Sequence, residues 1–217
     1  NQLSGPGYML EQIQGQIAQS LGESTLALQH YYRSLSIYQK NPPTEIDPDV
    51  AYNYFRISAI QETDQKGSLT EALQTVESGL KFLQGLQAEI QKIGNKATLE
   101  RYQAVQEGLK RRQLDLFLRM PEQQTKALKA YQNAIQEYPK DYIIHLGYGN
   151  LLEQARQGDA AAAIYKQALR LNSDKHLAQL SLGRLYYSRG AELLQKANLS
   201  KNPQEITLYE KQARAFY

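Results

Sequence analysis

The chain has 217 residues, 41% hydrophobic and 22% charged, with 25 basic against 22 acidic side chains. This globular composition leaves a net charge of +3, too little for a strong general field toward nucleic acid or anionic lipid, and no segment approaches the ~18 uninterrupted apolar residues of a membrane span. With no cysteine, disulfide frameworks, zinc knuckles and thiol chemistry are excluded, and 16 Tyr against no Trp favour sites where a ring is buried and its hydroxyl stays wet.

Residues 1–7 read as a tail without the basic and apolar regions of a signal peptide. From residue 8 apolar residues recur at intervals of three and four, as in Leu28, Tyr32, Leu35 and Tyr38, and strict alternation is nearly absent. Punctuation at Gly22, Asn41-Pro42-Pro43, Gly67, Gly94-Asn95, Pro121, Pro139, Gly158, Asn172-Ser173 and Asn202-Pro203 divides the chain into ten helical segments. Short connections require successive antiparallel hairpins. Two segments overrun the common length: Leu83, Leu86 and Ile90 prolong one helix, and Tyr102, Val105 and Leu109 extend the next backwards. Folded back at Gly94, they pair as a two-helix spur over residues 83–109, standing apart from the other helices. Two accounts of this spur stand, an insertion burying its own seam or an arm that docks a partner or a second copy. At the C-terminal end Ala213, Phe216 and Tyr217 keep helical register, so the natural protein is expected to be longer.

Ala127, Tyr131, Ala134 and Pro139 recur as Ala161, Tyr165, Ala168 and Ser173, every member displaced by the same interval, and Ala27, Tyr31 and Ser34 repeat the first three. A small residue, a ring four later and a small residue three beyond share one helix face and permit a close helix approach. The preceding helices carry His145, Tyr148, Gly149 and Leu152, then Gln179, Leu182, Gly183 and Tyr186, displaced by that interval again.

These residues resemble the tetratricopeptide repeat family, with residues 38–54 similar to the longer repeats of kinesin light chains. The resemblance implies an all-α fold, a right-handed α-α superhelical solenoid of about five helix-turn-helix units, forming a single domain over 8–217. Extended helices are expected in the second, third and fifth units. It also implies a concave groove lined by the first helix of each unit. The family frame nominates Gln12 and Gln16; Tyr52, Phe55 and Glu62; Arg112, Leu116 and Arg119; Asn150 and Glu153; and Arg184 and Tyr187. The Lys and Asn clamp of chaperone-tail binders is not present as a set, since Gln12 and Gln16 stand there in the first unit.

Nothing in the sequence argues for catalysis. His30, His145 and His176 lack a ligand-spaced partner, with His145 at a packing position and the others on helix surfaces, and Gly5-Pro6-Gly7 lacks the Lys-Ser/Thr of a phosphate loop. The basic run Lys110-Arg111-Arg112 is diluted by Glu107 and Asp115, so nucleic-acid binding is not expected. Asn198-Leu199-Ser200 is a sequon placed in a loop. The expected function is a non-catalytic, cofactor-free and metal-free scaffold, cytoplasmic, whose groove takes a peptide or helix of another protein. Alternatives are a regulatory or sensor domain controlling an attached enzyme or DNA-binding domain, and a self-assembly module, with homo-oligomer contacts through the 83–109 spur.

Overall fold

A computed structural model describes residues 7–63, 68–171 and 176–215. The punctuation at Gly67 and Asn172-Ser173, the small position at Ser173, Phe216 and Tyr217, and all but the last residue of the 1–7 tail lie outside them. The described residues form an all-α helical-repeat fold with ten α-helices: α1 (Gly7–Ser20), α2 (Ser24–Lys40), α3 (Tyr52–Thr63), α4 (Leu69–Ile93), α5 (Lys96–Leu118), α6 (Gln124–Glu137), α7 (Tyr142–Gln154), α8 (Gly158–Leu171), α9 (His176–Leu199) and α10 (Pro203–Arg214). Short 3-10 turns precede α3 at Pro48–Ala51 and α6 at Pro121–Gln123. Asn198 of the sequon lies in the last turn of α9, not in a loop.

The helix ends follow local chemistry. Ser68, Asn95, Asp141 and Asn202 cap α4, α5, α7 and α10 by accepting from first-turn amides, filling donors that a helix start leaves unpaired. Gly94 closes α4 in the left-handed region at φ 66°, where a residue without Cβ meets no penalty, and the chain reverses into α5.

The chain forms two compact units, residues 1–120 and 121–217. The boundary falls between α5 and α6, inside the third repeat of the sequence reading. In the first unit α1 pairs with α2, α3 with α4, and α4 with α5; in the second, α7 pairs with α8 and α9 with α10, while α6 packs on α7. One first-unit core gathers Tyr8, Tyr31, Leu35, Tyr38, Val50, Ile57 and Ile60. A second-unit core gathers Leu152, Ala161, Ala162, Tyr165 and Leu185.

The 83–109 spur is less separate than the sequence suggests. Leu83, Ile90, Tyr102, Val105 and Leu109 are buried along its seam as expected. Its α5 arm also packs on the 3-10 turn at Pro48–Ala51, and Arg101 pairs with Asp47 and, from Nε at 2.8 Å, with Asp49. Asp47 further accepts from the Tyr8 hydroxyl at 3.0 Å, and its amide donates to the Tyr38 hydroxyl at 3.2 Å. The spur is therefore bonded into the first unit. The cause is the longer 41–51 connection, which reaches across to α5.

Tyr8, Tyr31, Tyr38, Tyr102 and Tyr165 are held above the ordinary phenol pKa chiefly by burial. A raised phenol pKa means the fold prefers the neutral ring, so this stability is fully present below the unfolded value of about 10 and is lost as pH rises above it. Stability measured by urea titration is therefore expected to fall above about pH 10. A curve flat from neutral pH to beyond that value would contradict the burial of these hydroxyl-bearing rings.

Candidate functional site

The first helices of the repeats carry the nominated residues, and in the first unit a subset of these residues forms one continuous surface. Tyr52 and Phe55 of α3 stack with ring centroids 5.0 Å apart and planes 11° from parallel. The Arg56 guanidinium lies 4.9 Å from the Tyr52 centroid and 5.7 Å from that of Tyr31, and it donates to Asn53 Oδ1 at 3.3 Å. With its amide turned to face this cation, Gln16 of α1 accepts from Arg56 Nη2 at 2.8 Å. Arg112 of α5 lies 5.9 Å from the Phe55 centroid, donates to Ser58 Oγ at 3.1 Å and to the Ser58 carbonyl at 3.2 Å, and pairs with Glu62. Arg119 pairs with the other oxygen of Glu62. Three guanidiniums and two π faces thus run from α1 through α3 to α5.

A buried polar chain supports this surface. Asn53 donates to Ser34 Oγ at 3.0 Å, and Ser34 donates to the Tyr8 carbonyl at 2.8 Å, so α3, α2 and α1 are pinned behind it. Burial lowers the pKa of both Arg56 and Arg112, the desolvation being offset in part by neighbouring partners. Each guanidinium remains charged, because even a lowered arginine lies far above neutral pH.

Several sequence readings need correction here. Leu116 is fully buried and presents no surface to a groove. It lies two helical turns after Leu109, on the same seam that buries Tyr102 and Val105, so the helix turns it inward. Arg112 is not a free cation for a ligand carboxylate, since Glu62 and Ser58 already occupy its donors. With Arg112 largely buried, Arg112→Ala should cost about 1–3 kcal/mol by leaving Glu62 and Ser58 underbonded. A melting temperature unchanged in Arg112→Ala would contradict these bonds. His30 is no plain surface residue either, as its Nδ1 stands 2.7 Å from Glu11 Oε2. His145 is buried with Nδ1 2.8 Å from the Asp141 carbonyl, the packing role expected of it.

Arg56 was not nominated. Its signal was available, because a cation four residues after Tyr52 on a helix lies beside that ring. Gln12 is half-buried on α1 and joins none of these bonds.

In the second unit Asn150 and Glu153 of α7 both accept from the Tyr165 hydroxyl, at 2.6 and 3.0 Å, and Arg184 of α9 donates to Glu153 at 3.2 Å. Tyr187 is exposed. A cleft of about 680 Å³ between the α7–α8 turn and α9 is lined by Glu153, Arg156, Asp159, Leu185 and Arg189. Arg189 pairs there with Asp159 at 2.5 Å. Among the described residues no group of three His, Asp or Glu side chains is placed to hold a metal ion. No described helix is long and apolar enough to cross a membrane.

Glycines reveal the repeat grammar. A Cβ at Gly15 would stand 2.6 Å from the Tyr31 ring and one at Gly147 2.7 Å from Tyr131, and a Cβ at Gly149 would collide with Tyr165. Ring into glycine is therefore how paired helices approach in both units. Residues 125–174 and 149–192 match the tetratricopeptide repeat model. Residues 125–192 carry tetratricopeptide repeats.

The chain is similar to human protein O-mannosyl-transferase TMTC1, with 27% identity over 210 residues, 86% of this chain and 23% of that protein. The chain thus spans less than a quarter of that relative's length. Among solved structures, the assembly chaperone of RpL4 (Acl4, residues 1–338) matches with a TM-score of 0.54 at 14% identity, covering 97% of this chain and 83% of that one. That likeness shows a shared helical-repeat fold. The TPR2AB domain of yeast Sti1, solved as a complex with an HSP90 peptide, gives a TM-score of 0.29 at 13% identity over 95% of this chain and 98% of that one.

Proposed function

We propose that this tetratricopeptide array is a non-catalytic scaffold that binds an extended segment of a partner protein on the α1–α3–α5 face of its first unit. The observation that carries the reading is the ladder of Gln16, Arg56, Tyr52, Phe55, Arg112 and Arg119. It offers flat aromatic surface held rigid by stacked guanidiniums, and Arg119 is half-exposed with a charge that Glu62 shares between two cations. Such a surface suits a peptide with carbonyl or carboxylate oxygens for the cations and an apolar side chain for the rings. Asn150, Arg184 and Tyr187 form a separate polar face in the second unit and are proposed as auxiliary contacts. The reading keeps residues 8–217 as one functional domain, in the cytoplasm, with a peptide or helix as ligand rather than nucleic acid.

A regulatory role within a longer protein is the second reading. It is favoured by the match to TMTC1, where the similar region is a minor part of the whole.

The test begins with cross-linking and mass spectrometry of co-purified proteins to identify the partner. Tyr52→Ala with Arg119→Ala should then weaken its binding at least tenfold, with the helical circular dichroism spectrum unchanged. Full binding by that double variant would remove this face from consideration.

A further inference from the structure

The face built from α1, α3 and α5 is uneven in charge. Three of the described arginines are half-buried, Arg56, Arg112 and Arg189. Arg112 pairs with Glu62 and Arg189 with Asp159, whereas Arg56 meets no carboxylate among the described residues. Neutral groups alone hold it: Asn53 Oδ1 at 3.3 Å, the Gln16 amide oxygen at 2.8 Å, and the rings of Tyr52 and Tyr31 at 4.9 and 5.7 Å. Asp49 acts on Arg56 only from a distance, being bonded to Arg101 Nε at 2.8 Å. Withdrawing a cation from water is costly unless an opposite charge meets it, and amides and ring faces offset that cost only in part. The α3 end of the face therefore carries one unbalanced positive charge.

The α5 end is the reverse. Glu62 bridges two cations, one oxygen to Arg112 and the other to Arg119, and Asp115 stands 3.4 Å from Arg112 Nη1. Two guanidiniums there meet two carboxylates, so that end is neutral. The Glu62 side chain is only 16% exposed, and a carboxylate arriving at Arg119 would have to displace it or lie beside it. Like charges so placed repel, and more strongly in a half-buried setting than in water.

We propose that these two ends select the charge of the bound segment: Arg56 takes one carboxylate from it, and Glu62 is a built-in occupant that keeps a second carboxylate away from Arg112 and Arg119. Such selectivity presupposes the peptide-binding reading above and names the partner's chemistry, a segment with a single acidic residue rather than an acid-rich run. Arg56 lies between Gln16 of α1 and the rings that lead toward α5, so a segment crossing the face passes over it. The carboxylate is therefore that of an Asp or Glu side chain and not of a chain end, with an apolar neighbour on the Tyr52 and Phe55 rings. Arg56 and Glu62 are the specificity-determining residues of the face. A Glu62 with only a structural role would hold Arg112 and Arg119 in place without influencing which segment binds.

The test uses the full chain and three matched peptides: acetyl-Leu-Glu-Leu-Gln-amide with one carboxylate, acetyl-Leu-Gln-Leu-Gln-amide with none, and acetyl-Leu-Glu-Leu-Glu-amide with two. Binding is followed by nuclear magnetic resonance of the arginine Nε–H groups. The one-carboxylate peptide is expected to shift the Arg56 signal and to bind at least tenfold more tightly than the uncharged peptide. Arg56→Lys should keep part of that preference, and Arg56→Gln should remove it. The second carboxylate should add nothing in the parent chain. In Glu62→Gln, which preserves the shape of the side chain, it should strengthen binding several-fold, and adding Arg119→Gln should cancel the gain. Equal binding of the uncharged and one-carboxylate peptides would overturn the proposal while leaving the peptide-binding face in place. So would a several-fold advantage of the two-carboxylate peptide in the parent, or no gain in Glu62→Gln. No shift from any peptide at millimolar concentration would remove the face and its selectivity together.

Discussion

Gly149→Ala should destabilise the protein, whereas Gly183→Ala, at the same position of the next repeat, should stabilise it. Both glycines lie inside helices, α7 and α9, where alanine is favoured intrinsically by about 0.8–1 kcal/mol. At Gly149 the new methyl would enter the Tyr165 ring. That ring is fully buried and fixed by its hydroxyl bonds to Asn150 and Glu153, so it cannot slide away cheaply. Overpacking of this kind costs about 1–3 kcal/mol or more, which exceeds the propensity gain. At Gly183 no atom lies within 4 Å of the added Cβ, and the propensity gain stands alone. Urea unfolding of the two variants gives the answer directly. Changes of the same sign would mean that Tyr165 does not seat on Gly149, or that a helix covers Gly183.

The second large effect concerns the spur. From the sequence, excising residues 84–106 and closing the gap with a short turn restores a normal repeat and should leave the fold intact. The structure reverses that expectation. The excision removes Ile90, Tyr102 and Val105 from the buried seam and Arg101 from Asp47 and Asp49. Asp47 would then keep its bonds to Tyr8 and Tyr38 while losing its cation. Ile90→Ala alone should cost about 2–5 kcal/mol, because Ile90 is almost wholly buried and its truncation leaves a cavity in the seam. The excised chain should lose most of the first unit's stability in thermal unfolding. A full-length melting temperature in the excised chain would return the spur to the status of a dispensable arm, free to serve a partner or a second copy.

These outcomes show which parts of the molecule were legible in the sequence. The Ala-Tyr-Ala recurrence was visible because helix contacts in a repeat are local, and a ring meeting a glycine on the neighbouring helix leaves a short-range pattern. Gly94 and Asn95 likewise mark their own reversal, one supplying the left-handed turn and the other the cap. The pairing of Arg101 with Asp47 and Asp49 carries no such pattern. It joins an extended connection to a helix more than 50 positions away, and neither charge looks different from any solvated residue until the chain folds.

The candidate site was legible in part for the same reason. Tyr52, Phe55 and Arg112 came from the repeat frame, and the structure brings them together. The frame failed at Leu116 because α5 is longer than a repeat helix and its inward face is set by the Tyr102–Val105–Leu109 seam rather than by the frame. Gly183 matched the motif in sequence, yet no ring reaches it. Helix α9 is 24 residues long, and α10 starts only at Pro203, beyond the point where a partner helix would reach that glycine.

The most direct measurement is site-specific photo-cross-linking from the scaffold's own surface. A benzophenone amino acid placed singly at Gln16, Tyr52 or Arg119 samples the aromatic and guanidinium face, and one at Glu77 samples an exposed position on α4. A protein-binding face at α1, α3 and α5 should give a cross-linked partner from the first three positions and none from Glu77. Cross-links from Glu77 alone, with none from Gln16, Tyr52 or Arg119, would contradict it.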